Sequence, residues 1–299
     1  VRGWEEDEDP YALFADILRE GDIPGGTVAL DDLARVFVAE GMRAALPNHH
    51  FVASGPVTSF LRERKTEQEV AILRHAMRMT LGIQAAAARG LRPGVTTTEV
   101  MDFLGAAHRK AGFDAGPSFG IVLFGEPTAY PHGVPYPQTL QEGDTVLIDV
   151  GAPLHGYVSD ITRSYVFGEP TKRQREVWDL CQRAQAAGFA AAQPGAPCAA
   201  IDDACRGVVV GAGFGPGYKV PGLPHRTGHG VGMDVHEAPY FVGGNRQPLA
   251  PGNTGSIEPT IAIYGEFGIR LEDHIVVTQN AAAWLTEPAR SVDDPFGLE

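Results

Sequence analysis

The sequence has 299 residues, 43% of them hydrophobic and 20% charged, which fits one large globular domain or a domain with a small companion. Its formal charge of −13 argues against broad binding to nucleic acid or anionic membrane, which needs clustered Lys and Arg, and suits a protein that gathers carboxylates around cations. No apolar run approaches the roughly 20 residues that cross a bilayer, and Cys181, Cys198 and Cys205 form no C-x-x-C pair, so they read as small buried hydrophobes in a reducing cytoplasm.

The chain opens Val1-Arg2-Gly3-Trp4 without an initiator Met, so the expectation is a natural start upstream, which leaves an export signal there open, and no signal peptide is visible in the sequence itself. Asp9-Pro10 is an N-cap followed by Pro at the first helical position, so a short helix is predicted to about Glu20. A strand at Thr27 to Leu30, a helix from Leu33 to Ala45 and a strand at His50 to Ala53 follow. Residues 1–63 thus read as a small α/β piece, and 64–299 as the main domain.

Thr66 with Glu69 three residues later is a capping box opening a long helix through Val70, Leu73, Met77 and Leu81. A second helix starts at Thr97 or Thr98. Asp144 to Ile148, a turn at Gly151-Ala152-Pro153 and a return from Tyr157 to Phe167 read as a strand pair. Helices from Arg173 to Ala192 and Cys198 to Gly211 lead to another pair, Thr254 to Ile263 and Phe267 to Thr278. The order helix–helix–hairpin therefore occurs twice, which predicts an α+β domain with duplicated halves.

Each hairpin carries two acids. Asp149 ends an apolar strand, and Asp160 alternates with Thr162 and Ser164 on the return. Glu258 follows Ile257, while Glu272 shares a face with Arg270 and His274. Carboxylates among apolar neighbours are costly unless compensated. A single such acid is better read as an ordinary edge residue or ion pair, but four in matched hairpins call for two divalent cations, with Arg270 balancing residual negative charge.

Pro224-His225-Arg226-Thr227-Gly228-His229-Gly230 is Gly-punctuated and lacks the helical setting of H-E-x-x-H zinc sites. His229 is the best ligand candidate, and His225, His236 and His132 are candidates to line the site. His49, His50, His75, His108 and His155 are assigned structural roles. His274 is left outside the ligand set.

These segments resemble the creatinase–prolidase–methionine aminopeptidase superfamily with its pita-bread fold. Asp149-Val150-Gly151, Gly156 through Ser164, Thr227 through Gly232 running on to His236-Glu237, Ile257-Glu258-Pro259 and Arg270 through Asp273 match its motifs in order. The resemblance implies that Asp149, Asp160, His229, Glu258 and Glu272 hold two metal ions, Mn²⁺ or Co²⁺ before Zn²⁺, with Asp160 and Glu272 bridging. It implies cleavage of the bond before a proline at the second position of a small peptide. A metal-activated water would attack, His236 would meet the oxyanion, Glu258 would shuttle a proton, and His132 and His225 would line the proline side. Xaa-Pro dipeptidase (prolidase) is the leading expectation, and Arg246 the candidate for the proline carboxylate. Aminopeptidase P is the alternative, with methionine aminopeptidase and a non-catalytic peptide-binding relative behind it. A homodimer is expected, and residues 1–63 resemble the tail of the extra N-terminal domain of prolidases. Thr260 and Ala262 stand where relatives carry Gly and Tyr.

Overall fold

A computed structural model describes residues 1–297. They divide into two compact units, Val1–Arg62 and Glu63 onward. In the first, helix α1 (Pro10–Glu20) starts at Asp9, whose carboxylate accepts the Tyr11 N–H at 2.9 Å. Strands β1 (Gly26–Leu30) and β2 (His49–Ala53) pair in parallel around helix α2 (Val36–Ala45), and helix α3 (Gly55–Arg62) follows. The α2 helix starts three residues after the Leu33 expected from sequence, because Asp31 draws the Leu33 and Ala34 N–H groups into a turn.

In the second unit the Thr66–Glu69 capping box is formed in both directions and opens α4 (Glu67–Arg89). Its buried Leu73, Met77 and Leu81 recur at helical spacing. Helix α5 (Thr97–Ala111) repeats the device with Thr96 and Glu99. Strand β3 (Phe119–Phe124), not expected from sequence, precedes a 3₁₀ turn at Glu126–Ala129 and β4 (Thr145–Gly151). A small ribbon, β5 (Pro153–Leu154) and β6 (Tyr157–Val158), turns the chain into β7 (Ile161–Val166). The antiparallel sheet β3-β4-β7 packs Val146, Ile148 and Val150 against α4 and α5.

Helices α6 (Lys172–Ala191) and α7 (Ala199–Gly211) then lie side by side. They bury Trp178, Cys181, Ile201 and Cys205 with Ile257, Ile269 and Ile275 in the largest core cluster. The remaining strands are β8 (Gly228–Gly230), β9 (Glu237–Phe241), β10 (Thr254–Ile257), β11 (Thr260–Ile263), β12 (Phe267–Arg270), β13 (Asp273–Val277) and β14 (Ala282–Trp284). Five of them form a sheet in the order β14-β13-β10-β8-β9, and β11-β12 form a separate ribbon.

The two long strands expected at Thr254 to Ile263 and Phe267 to Thr278 are therefore both broken. The chain leaves the five-stranded sheet at Glu258-Pro259, where Pro has no N–H to continue the ladder, and returns to it through Leu271-Glu272. The two crossings lie opposite one another, between the pairs Ile257↔Asp273 and Thr260↔Arg270. The ribbon is tied to the first sheet: the Arg270 N–H donates to Ser164 Oγ at 3.0 Å and the Glu272 N–H to the Thr162 carbonyl at 3.2 Å.

Candidate metal centre

The crossings place Glu258 and Glu272 beside Asp149 of β4 and Asp160, which sits just ahead of β7. His229 comes from β8, whose Gly228 lies so close to the Ser256 carbonyl that any side chain there would collide with it. All five line one cavity of about 490 Å³, together with His132, His225, His236 and Arg270. Donor atoms of Asp160, His229 and Glu272 lie within 4.8 Å of one another.

Neighbouring groups orient these donors. His229 Nδ1 faces the Gly230 carbonyl at 3.0 Å, so Nδ1 donates and Nε2 is the nitrogen turned to the acids, where it donates to Glu258 and would give its lone pair to a cation once that proton leaves. That Nε2 is 3.0 Å from Glu258 Oε1 and 3.5 Å from Asp160 Oδ2. The Thr162 hydroxyl donates to Glu272 Oε2 at 2.6 Å, and the Ser256 hydroxyl to Glu258 Oε1 at 3.0 Å. Arg270 is fully engaged: it reaches Asp149 Oδ2 at 2.7 Å, the Pro131 carbonyl at 3.0 Å and Thr162 Oγ1 at 3.3 Å. Behind Asp160, a one-way chain of hydrogen bonds fixes the turn. His108 Nδ1 donates to the Leu104 carbonyl at 2.8 Å, so its Nε2 accepts the Thr80 hydroxyl at 3.2 Å; Thr80 Oγ1 in turn accepts the Ser159 hydroxyl at 2.7 Å.

Burial pushes Asp160 well above the ordinary carboxylate range, and the charges of Glu272, Asp149 and Glu258 push the same way. Glu272 is raised in the same manner by burial, then by Glu258 and Asp149. Asp149 is also raised by burial, against the opposing charge of Arg270. Burial opposes ionisation of Glu258 too, but the His229 ring with its hydrogen bond, together with Arg270, outweighs it and lowers the Glu258 pKa below the ordinary carboxylate range. Burial lowers His225 and His236 to about 4 and His274 to about 3, so all three are neutral at pH 7.

A divalent cation fits this donor set. Among the described residues, Asp149 Oδ1 and Glu272 Oε1 are buried without a hydrogen-bond partner, a costly state that coordination would relieve. Both ring nitrogens of buried His274 are likewise unpartnered, and its Nε2 lies 3.7 Å from Asp160 Oδ2 and 3.9 Å from Glu272 Oε1. The sequence reading left His274 out of the ligand set; the structure puts it against two of the acids.

Other expectations fare differently. His132 and His236 line the cavity. His225 does as well, but both its nitrogens are occupied, Nδ1 donating to the Arg226 carbonyl at 2.5 Å and Nε2 accepting from Thr260 at 2.6 Å. Thr260, the departure from Gly, thus locks one tautomer of His225. Arg246 is not brought to the cavity. It lies exposed in a turn held by the Asn245 amide, which donates to the Tyr240 carbonyl at 2.6 Å. Arg226, Tyr240, Phe119 and Ile121, none of them singled out from sequence, line the cavity instead.

Residues 71–279 match the model of metallopeptidase family M24. The chain belongs to that family. It is 35% identical over 298 residues to the Xaa-Pro dipeptidase of Lactobacillus helveticus, covering 94% of this chain and 76% of the relative. A dipeptidase from Pyrococcus horikoshii OT3 superposes with a TM-score of 0.89 at 32% identity, over 97% of this chain and 80% of that one. An X-Pro aminopeptidase from Thermotoga maritima superposes with a TM-score of 0.86 at 27% identity, over 96% and 80%. This M24 chain is thus a metallopeptidase of the prolidase type with the pita-bread fold. Among its described residues, no helix is long and apolar enough to cross a membrane.

Proposed function

We propose that the chain is an Xaa-Pro dipeptidase in which Asp149, Asp160, His229, Glu258 and Glu272 would hold two divalent cations. The observation carrying this reading is the convergence of five donors from two strands, the turn ahead of β7 and the two crossings, with carboxylate oxygens that have no hydrogen-bond partner among the described residues. The oxygen-rich set suits Mn²⁺ or Co²⁺. The similarity to an Xaa-Pro dipeptidase supports the choice of substrate. The same reading makes the two helix–helix–sheet modules duplicated halves, residues 1–63 a partial N-terminal domain, and the enzyme a cytoplasmic homodimer.

When bound, such cations lower the pKa of a water and polarise the scissile carbonyl. Glu258, ionised and fixed by Ser256, can take a proton from an attacking water and pass it toward the departing proline nitrogen. His236, neutral and set edge-on to His229 with ring centroids 4.2 Å apart, can donate a hydrogen bond to the developing oxyanion. His225 is spent on Thr260 and its own turn, so it shapes the cavity wall instead of donating to substrate. His132 faces the same space.

The test is product analysis with added Mn²⁺ on Ala-Pro, Ala-Pro-Ala and Met-Ala-Ser. Cleavage of Ala-Pro alone is expected. Release of Ala from Ala-Pro-Ala would move the reading to aminopeptidase P, and inertness toward all three would leave a peptide-binding relative.

A further inference from the structure

Two arginines line the cavity, and only one is engaged. Arg270 is bound to Asp149, Thr162 and the Pro131 carbonyl. Arg226 lies half-buried with its guanidinium 5.1 Å from the centroid of the Tyr240 ring, and among the described residues no carboxylate pairs with it. A half-buried guanidinium facing a cavity, without a counter-ion, is an anion site in waiting.

The site is built, not a stray side chain. Asp202, buried on α7, accepts both the Thr227 N–H at 3.1 Å and the Thr227 hydroxyl at 2.7 Å. Arg206 pairs with Asp202 and donates to the His225 carbonyl at 2.9 Å. The backbone on either side of Arg226 is therefore clamped to one helix. Its aromatic platform is equally fixed, since Tyr240 stands directly opposite His229 in the β8–β9 register, which puts the two side chains on one face. The cation is thus rigidly placed relative to the metal donors. Among the described residues it is the arginine of the cavity wall that has no acidic partner.

We propose that Arg226, stacked on Tyr240, is the specificity-determining residue that receives a carboxylate of the substrate. This rests on the peptidase reading of the same cavity and makes the preferred substrates anionic peptides. A peptide offers that carboxylate from two sources, its C-terminus or an acidic first residue.

The experiment compares the Mn²⁺-loaded wild type with Arg226→Ala and Arg226→Gln on Ala-Pro, Ala-Pro-amide, Asp-Pro and Asn-Pro. Thermal melting confirms that each variant is folded. Losing a charge-assisted contact remote from the reacting bond should raise KM by roughly 10- to 100-fold, with a much smaller change in kcat. If the C-terminus is bound, the wild type loses Ala-Pro-amide by that factor and the variants treat Ala-Pro and its amide alike. If an acidic first residue is bound, the wild type prefers Asp-Pro to Asn-Pro and the variants do not. Equal KM values in wild type and both variants on all four peptides would overturn the assignment. Calorimetric binding of Ala-Pro and Asp-Pro to metal-free protein separates the two claims. A wild type that cleaves nothing yet binds an anionic peptide more tightly than Arg226→Ala sinks the dipeptidase reading and keeps the anion site. Equal or undetectable binding, with no cleavage, removes both.

Discussion

Arg163 is fully buried beneath the metal centre, and its replacement by Met should be among the most damaging single changes in the chain. Its Nη2 donates to Asp273 Oδ1 at 2.7 Å and to the Glu287 carbonyl at 3.2 Å; Nη1 reaches the Glu272 carbonyl at 2.7 Å and the Thr162 carbonyl at 3.0 Å. Asp273 is also fully buried, and even with Arg163 beside it burial raises its pKa, so the ion pair only partly offsets desolvation. Removing Arg163 strands that carboxylate and takes a donor from three carbonyls. The stranded charge alone costs about 3–5 kcal/mol, and the carbonyls bring the total to about 4–6 kcal/mol, against a typical domain stability of about 5–15 kcal/mol. Urea unfolding of metal-free protein, followed by fluorescence of the buried Trp178, measures it. The double variant Arg163→Met with Asp273→Leu removes both charges and should recover to within about 2 kcal/mol of wild type. It should not recover metal affinity, because the Glu272 carbonyl still lacks its anchor. A single-variant loss under about 1 kcal/mol, or a double variant whose losses simply add, would refute the reasoning.

Four further outcomes follow from the site. Cation binding at a pH below the raised values of Asp160 and Glu272 should release protons, because burial and the neighbouring carboxylates favour their protonated forms; calorimetry in two buffers of different ionisation enthalpy should give different heats, and identical heats would count against it. The same shifts mean that folded metal-free protein binds more protons than unfolded. That contribution is full below the ordinary carboxylate pKa of about 4 and is lost as pH rises through the raised values. Relative to a variant with Asp160→Asn and Glu272→Gln, whose histidines are the same, the melting temperature of the metal-free protein should fall as pH rises above about 4, and parallel pH profiles would contradict it. Thr80→Val breaks the His108–Thr80–Ser159 chain and should cost about 1–3 kcal/mol with weaker metal binding, which Thr80→Ser should restore; failure of the serine to restore it would remove Thr80 from the support of Asp160. His236→Ala should lower kcat by roughly 100- to 1,000-fold with bound metal unchanged, and a loss of metal would reassign His236 to the ligand set.

The parts of the molecule legible in its sequence are those set by near neighbours. Thr66 and Glu69 mark a helix start because both capping bonds close within four residues. Asp149, Asp160, Glu258 and Glu272 stand out because acids in apolar strands need a reason, and His229 because it lies in a Gly-punctuated segment; the structure gathers all five along one cavity. What the sequence hides is set by distant partners. Alternation runs on through Glu258-Pro259 and Leu271-Glu272, so each pair of short strands reads as one, although its parts belong to different sheets. Counting along one strand puts His274 a step beyond Glu272. Its contact with Asp160 depends on how β13 meets the other sheet. Arg246 and Arg226 look equivalent as loop arginines, and only the β8–β9 register and the Asp202 clamp decide which one faces the cavity.

The donors at the seam are divided unevenly along the chain. Asp149 and Asp160 precede the exposed turn around Gly195, while His229, Glu258 and Glu272 follow it. If the chain were cut in that turn, each fragment would hold an incomplete set of donors, and the cations would become the common property of two separate molecules. Metal concentration would then govern whether the fragments associate, making the severed enzyme a metal-dependent heterodimer.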